Sequence, residues 1–138
     1  MDISSIRLFN IQESREVSLS EYKGKPCIIT FWASWCPDSQ RDLVRKHQMY
    51  EKMDKSELGF ITINVVGREG NKLDGIKYME QNQFQFPVLL DEGTKIYDLF
   101  ECKGVPTTII LDEELVVRET FGERATFIEI MNGLAKVI

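Results

Sequence analysis

Cys27-Ile-Ile-Thr-Phe-Trp-Ala33 is a run of β-branched, aromatic and small residues that passes, through Ser34 and Trp35, into a Cys-Pro pair opening a helical pattern. Such a run lacks the polar alternation of a half-solvated strand and reads as a strand buried on both faces. Pro37 suits a first helical position, and Leu43, Val44, His47, Tyr50 and Met53 follow at helical spacing on one face. Cys36 therefore sits at a strand-to-helix junction.

The rest of the chain continues this pattern. Phe60 to Val66 is a second buried strand, closed by Gly67 and followed by a helical stretch from Lys72 to Gln83. Phe86 to Leu90 reads as a short strand and Thr94 to Phe100 as a short helix. Thr107 to Leu111 and Leu115 to Phe121 flank the polar turn Asp112-Glu113-Glu114, which predicts an antiparallel hairpin. Phe127, Ile128, Met131, Leu134, Ala135 and Ile138 mark one face of a C-terminal helix. Ahead of Gly24-Lys25-Pro26, the N-terminal arm is polar, with a short strand near Val17 to Leu19. The expected class is α/β: a central mixed sheet flanked by helices on both faces, ending in a hairpin plus helix. With 138 residues and no repeat, low-complexity tract or linker, one domain over residues 1–138 is expected.

Charge and cysteine usage narrow the function classes. Seventeen basic against 22 acidic residues give −5, which disfavours nucleic acid or an anionic membrane surface as partner. The longest apolar stretch, around Ile28 to Trp35, is too short to span a bilayer. The three cysteines, Cys27, Cys36 and Cys102, match no zinc-ligand spacing and leave at least one thiol without an intramolecular partner. No metal or cofactor is expected. At the first turn of a helix, free N–H groups and the macrodipole favour a thiolate, so Cys36 reads as reactive with a lowered thiol pKa, opposed by Asp38 in the same turn. Cys27, opening a central strand, reads as buried and inert, and His47, on the apolar helix stripe, as packing or surface.

Phe31-Trp-Ala-Ser-Trp-Cys-Pro-Asp-Ser39 resembles the active-site segment of thioredoxin-like proteins, especially the TlpA/ResA branch of thiol-disulfide oxidoreductases, also grouped with the redoxin (AhpC/TSA) superfamily. Phe86-Pro-Val-Leu-Leu-Asp91, Gly104-Val-Pro-Thr-Thr108 and the terminal hairpin plus helix match in the same order, so the resemblance covers nearly the whole chain. It implies a thioredoxin-like fold, Cys36 as nucleophile, and Pro106 as a cis-proline facing it. The Val105 backbone would then pair with an extended substrate, and Trp35 and Pro37 would stand at the rim. Ser39 replaces the resolving cysteine of the family's Cys-x-x-Cys. It is either a hydrogen-bond donor to the Cys36 thiolate or an ordinary helix-start serine. Asp42, six residues after Cys36, stands where ResA-like members carry a carboxylate beneath the active site; it is either a modulator of thiol ionisation or a solvated helix charge. Thr30 takes the strand position of thioredoxin's buried Asp, and Cys102 is a candidate surrogate resolving thiol.

The function implied is exchange through a single cysteine: a mixed disulfide with a protein or peptide substrate, resolved by an external thiol. Two alternatives stay open. One is a thiol peroxidase working through a Cys36 sulfenic acid, although the Pro-x-x-x-Thr-x-x-Cys pattern of peroxiredoxins is absent; the other is a non-catalytic binding module using the same groove. A monomer is expected. The first twenty residues carry Asp2, Glu13 and Glu16, which points to a cytoplasmic chain; an extracytoplasmic, membrane-associated location is the alternative, since ResA-like proteins are usually exported.

Overall fold

Seven strands make one mixed sheet in the computed structural model, which describes residues 2–138. In chain order the elements are β1 (Arg7–Asn10), β2 (Arg15–Ser18), β3 (Cys27–Trp32), α1 (Pro37–Lys52), β4 (Gly59–Asn64), α2 (Asp74–Asn82), β5 (Val88–Leu90), α3 (Lys95–Leu99), β6 (Thr107–Leu111), β7 (Val117–Phe121) and α4 (Phe127–Ala135). The strand order is β2-β1-β5-β4-β3-β6-β7. β3 and β4 are parallel and buried along their whole length, and β6 returns antiparallel to β3 before turning into the hairpin with β7. This central position explains why both strands are written almost without polar residues.

Alternation along β3 divides the core into two layers. Ile29 and Phe31 join Ile61, Ile63, Tyr97 and Phe100 on one face, with the N-terminal turns. Ile28 and Trp32 join Leu43 of α1, Met79 of α2 and Ile130 and Leu134 of α4 on the other. Helices α1, α2 and α4 thus cover the same face, and the short α3 lies opposite. Each large apolar side chain so buried contributes about 1.5–3 kcal/mol. Thr126 and Glu129 close a capping box at the start of α4, satisfying two otherwise free N–H groups.

Two readings of the sequence are corrected. Residues 7–10 are not a polar arm but β1, paired with β2 on one side and β5 on the other. Only Leu8 and Asn10 of β1 are buried, so the buried side of this strand carries a single apolar residue. On α1, Val44 is 46% exposed, and the buried residues are Ser39, Leu43 and Lys46. The helix turns a lysine toward the sheet where a valine was expected. Among the described residues no helix is long and apolar enough to cross a membrane.

Candidate active site

β3 ends at Trp32, and Ala33-Ser34-Trp35 carries the chain over to Cys36, the N-cap residue of α1, with Pro37 in the first turn. This loop is anchored at several points. The Glu69 carboxylate accepts from Ser34 N–H (2.7 Å), Ser34 Oγ (2.6 Å) and Asn64 Nδ2 (2.8 Å). Gln40 Nε2 donates to the Ser34 carbonyl at 2.8 Å, and Trp35 Nε1 to the Arg68 carbonyl at 2.6 Å. The indole of Trp35 is therefore tethered while remaining 53% exposed at the rim. Cys36 itself is 7% exposed, and its Sγ lies 3.5 Å from the Val105 carbonyl, to which the thiol donates. The Val105–Pro106 peptide bond is cis, and Thr107 Oγ1 donates to the Gly104 carbonyl at 2.7 Å. Cys36, Val105 and Pro106 thus meet at one point, with Trp35 and the exposed Pro37 beside them.

Ser39 is fully buried, and its Oγ accepts from Ala33 N–H at 3.4 Å. Among the described residues no hydrogen bond joins it to Cys36, so the hydroxyl is committed to the strand end rather than to the sulfur. Asp42 is not a solvated helix charge: its side chain is 14% exposed and its Oδ2 lies 2.8 Å from Nζ of Lys46, whose side chain is 0% exposed. That approach is a close ion pair of poor hydrogen-bond direction, and Oδ2 has no directed donor. The directed bonds of Lys46 Nζ go to Thr30 Oγ1 (2.8 Å) and Thr108 Oγ1 (2.5 Å), residues that stand opposite each other in β3 and β6. Burial pulls Lys46 below the ordinary lysine range, and Asp42 partly opposes this. Asp42 also borders a cavity of about 200 Å³ shared with Asp38, Arg45, Pro106, Glu123 and Phe127. A larger concavity of about 670 Å³, with Met49, Met53, Ile128 and Met131, lies farther along α1 against α4, away from the sulfur.

The remaining candidates lie outside this constellation. All three cysteines are unpaired. Burial pushes the Cys27 and Cys102 thiols up to about 12, which leaves both protonated and poorly nucleophilic near neutral pH. Cys102 packs against the core on the α3 side. His47 stands edge-on to Phe84 and Phe86 and accepts from Gln85 N–H at 3.1 Å. Glu69 and Lys46 escaped the sequence reading. The available signal for Lys46 was the pair of threonines interrupting two otherwise apolar strands, together with an acid one helical turn before the lysine. For Glu69, separated from Ser34 by 35 positions, no local pattern exists.

The AhpC/TSA family profile matches residues 5–120. Sporulation thiol-disulfide oxidoreductase A of Bacillus subtilis (strain 168) is 25% identical over 118 residues, covering 86% of this chain and 71% of that protein. Thiol-disulfide oxidoreductase ResA of Bacillus cereus is 25% identical over 113 residues, 81% of this chain but only 64% of that protein. Among solved structures, StoA from Bacillus subtilis superposes with a TM-score of 0.80 at 23% identity, over 93% of this chain and 94% of that one. The exposed lipoprotein thioredoxin Etrx1 of Streptococcus pneumoniae strain TIGR4 gives 0.83 at 22% identity, over 95% and 98%. These likenesses establish the thioredoxin-like fold. With the profile covering most of the chain, the protein belongs to the AhpC/TSA family.

Proposed function

We propose that this protein is a thiol-disulfide oxidoreductase that exchanges with protein or peptide disulfides through Cys36 alone. The observation that carries this reading is the meeting of Cys36, at the N-cap of α1, with the Val105 carbonyl beside cis-Pro106, while a buried serine holds the position three residues on. Relatives named as thiol-disulfide oxidoreductases support it.

In the resting protein the Cys36 proton points to Val105. Exchange begins when that proton leaves and the thiolate attacks one sulfur of the substrate. The substrate S–S bond breaks, a Cys36–substrate disulfide forms, and the other substrate sulfur departs as a thiolate that takes up a proton. The Ser39 hydroxyl cannot attack this mixed disulfide. An external thiolate does so instead, forming a disulfide with the former substrate sulfur and releasing Cys36. Trp35 and Pro37 border the approach, and the Val105–Pro106 backbone flanks an extended substrate segment.

The test compares insulin reduction by the native chain and by Ser39→Cys under a supplied dithiol reductant. Positions 36 and 39 are one helical turn apart, about 5–6 Å, within the Cα separation a disulfide spans. A large gain in turnover with Ser39→Cys is expected. Equal turnover in the two, with no adduct on Cys36 in either, contradicts the reading.

A further inference from the structure

We infer that Lys46 is a positioning residue for the Cys36 reaction: its buried side chain balances Asp42 at the cavity bordering Pro106 and ties the helix that carries Cys36 to the strand that follows the proline. This rests on the reading of Cys36 as the nucleophile.

Lys46 brings three elements together. Its Nζ is 2.8 Å from Thr30 Oγ1 on β3, 2.5 Å from Thr108 Oγ1 on β6, and 2.8 Å from Asp42 Oδ2 one turn back on α1. An ammonium offers donors and no acceptor; here two N–H groups are directed at the threonine hydroxyls and the charge faces Asp42, in a place with no exposure to water. Thr108 is two residues beyond Pro106, and Asp42 is six residues beyond Cys36. The contacts therefore join both halves of the site from beneath.

The charges around Asp42 show why Lys46 is the group that matters. From α1, Asp38 pairs with Arg41 at the surface, and Arg45 lines the cavity; from the segment between β7 and α4, Glu123 lines it; β3 and β6 contribute only the neutral Thr30 and Thr108. Among the described residues Lys46 is the sole cation in salt-bridge contact with Asp42. Six residues of helix rise about 9 Å, so a lone charge at Asp42 lies about that far from the helix start. At that separation in a partly solvated protein interior, one unbalanced charge moves the ionisation of a thiol by about one pH unit. The Asp42–Lys46 pair as a whole is neutral toward Cys36, and Asp42 without Lys46 is not.

The experiment measures the pH dependence of Cys36 alkylation by iodoacetamide in the full chain for the native protein, Lys46→Met, Asp42→Asn and the double variant, with folding checked by circular dichroism. Lys46→Met is expected to move the midpoint up by about one unit and the double variant to restore the native midpoint, while Asp42→Asn moves it down only as far as Lys46 keeps its proton. A purely structural role would lower stability without a midpoint shift that the second substitution reverses. Should Lys46→Met not fold, Lys46→Gln, which keeps a donor toward Thr30 and Thr108 without the charge, takes its place. A native midpoint in Lys46→Met, or a shift there that the added Asp42→Asn does not reverse, overturns the inference. Failure of native Cys36 to react at all overturns the underlying reading of the nucleophile instead.

Discussion

Replacing Asp42 by Asn removes a charge while nearly preserving shape, leaving the Lys46 ammonium at 0% exposure with only Thr30 and Thr108 as partners. Breaking a buried pair from one side costs about 3–5 kcal/mol. The lysine can escape by releasing its proton, and that limits the loss: from an ordinary value of about 10.4, neutralisation costs at most about 4.6 kcal/mol at pH 7 and about 2 kcal/mol at pH 9, and less from a lowered one. The variant is therefore expected to lose about 3–4.5 kcal/mol at pH 7, a large part of the roughly 5–15 kcal/mol typical of a domain. The pH dependence has a definite sign. Burial lowers Lys46 even beside Asp42, which opposes that shift, so losing Asp42 lowers it further; between the variant's value and the native chain's the native chain holds a proton that the variant does not, and the variant gains stability relative to the native chain as pH rises. Urea unfolding at pH 7 and pH 9, each against the native chain, measures both quantities. The deficit is expected to be smaller at pH 9 than at pH 7. A deficit below about 1 kcal/mol at pH 7, or one that does not change with pH, refutes the buried ion pair.

Three further outcomes are expected. With Cys27 and Cys102 pushed up to about 12, iodoacetamide near neutral pH should label Cys36 and spare the other two in the folded chain, as peptide mapping would show. A Cβ on Gly75 would run into the side-chain amide of Asn64, so Gly75→Ala should cost about 1–3 kcal/mol in urea; a neutral result would mean that α2 does not pack this closely on β4. Glu69→Ala removes the acceptor for Ser34 N–H and Oγ and should cost about 1–3 kcal/mol while slowing mixed-disulfide formation at Cys36; full retention of that rate would show that the loop holds itself.

What could be read in advance and what could not follow from how each feature is encoded. β3 and β4 were legible because both faces of each are buried, so burial writes itself into consecutive residues. The place of Cys36 at the start of α1 was legible because it depends on a local junction, a strand end followed by Pro37. β1 was hidden because its pairing with β2 and β5 leaves one apolar residue on the buried side. Lys46 was hidden for a different reason. Its burial is permitted only by Thr30, 16 positions away, and Thr108, 62 positions away, and helical spacing alone could not choose between it and Val44. Asp42 was recognised by position, but its surroundings became readable only once its neighbour was seen to face inward. Ser39 was placed correctly at the helix start, whereas its partner depends on which way a fully buried rotamer points, here toward Ala33 N–H.

Exchange through one thiol is tested most directly by intact-mass analysis of the native chain after incubation with a peptide disulfide, before and after addition of an external thiol. The prediction is a single peptide adduct, mapped to Cys36, that persists until the thiol is added and then disappears with recovery of the unmodified mass. No adduct, or rapid loss of the adduct without added thiol through an intramolecular Cys36–Cys102 disulfide, would contradict it.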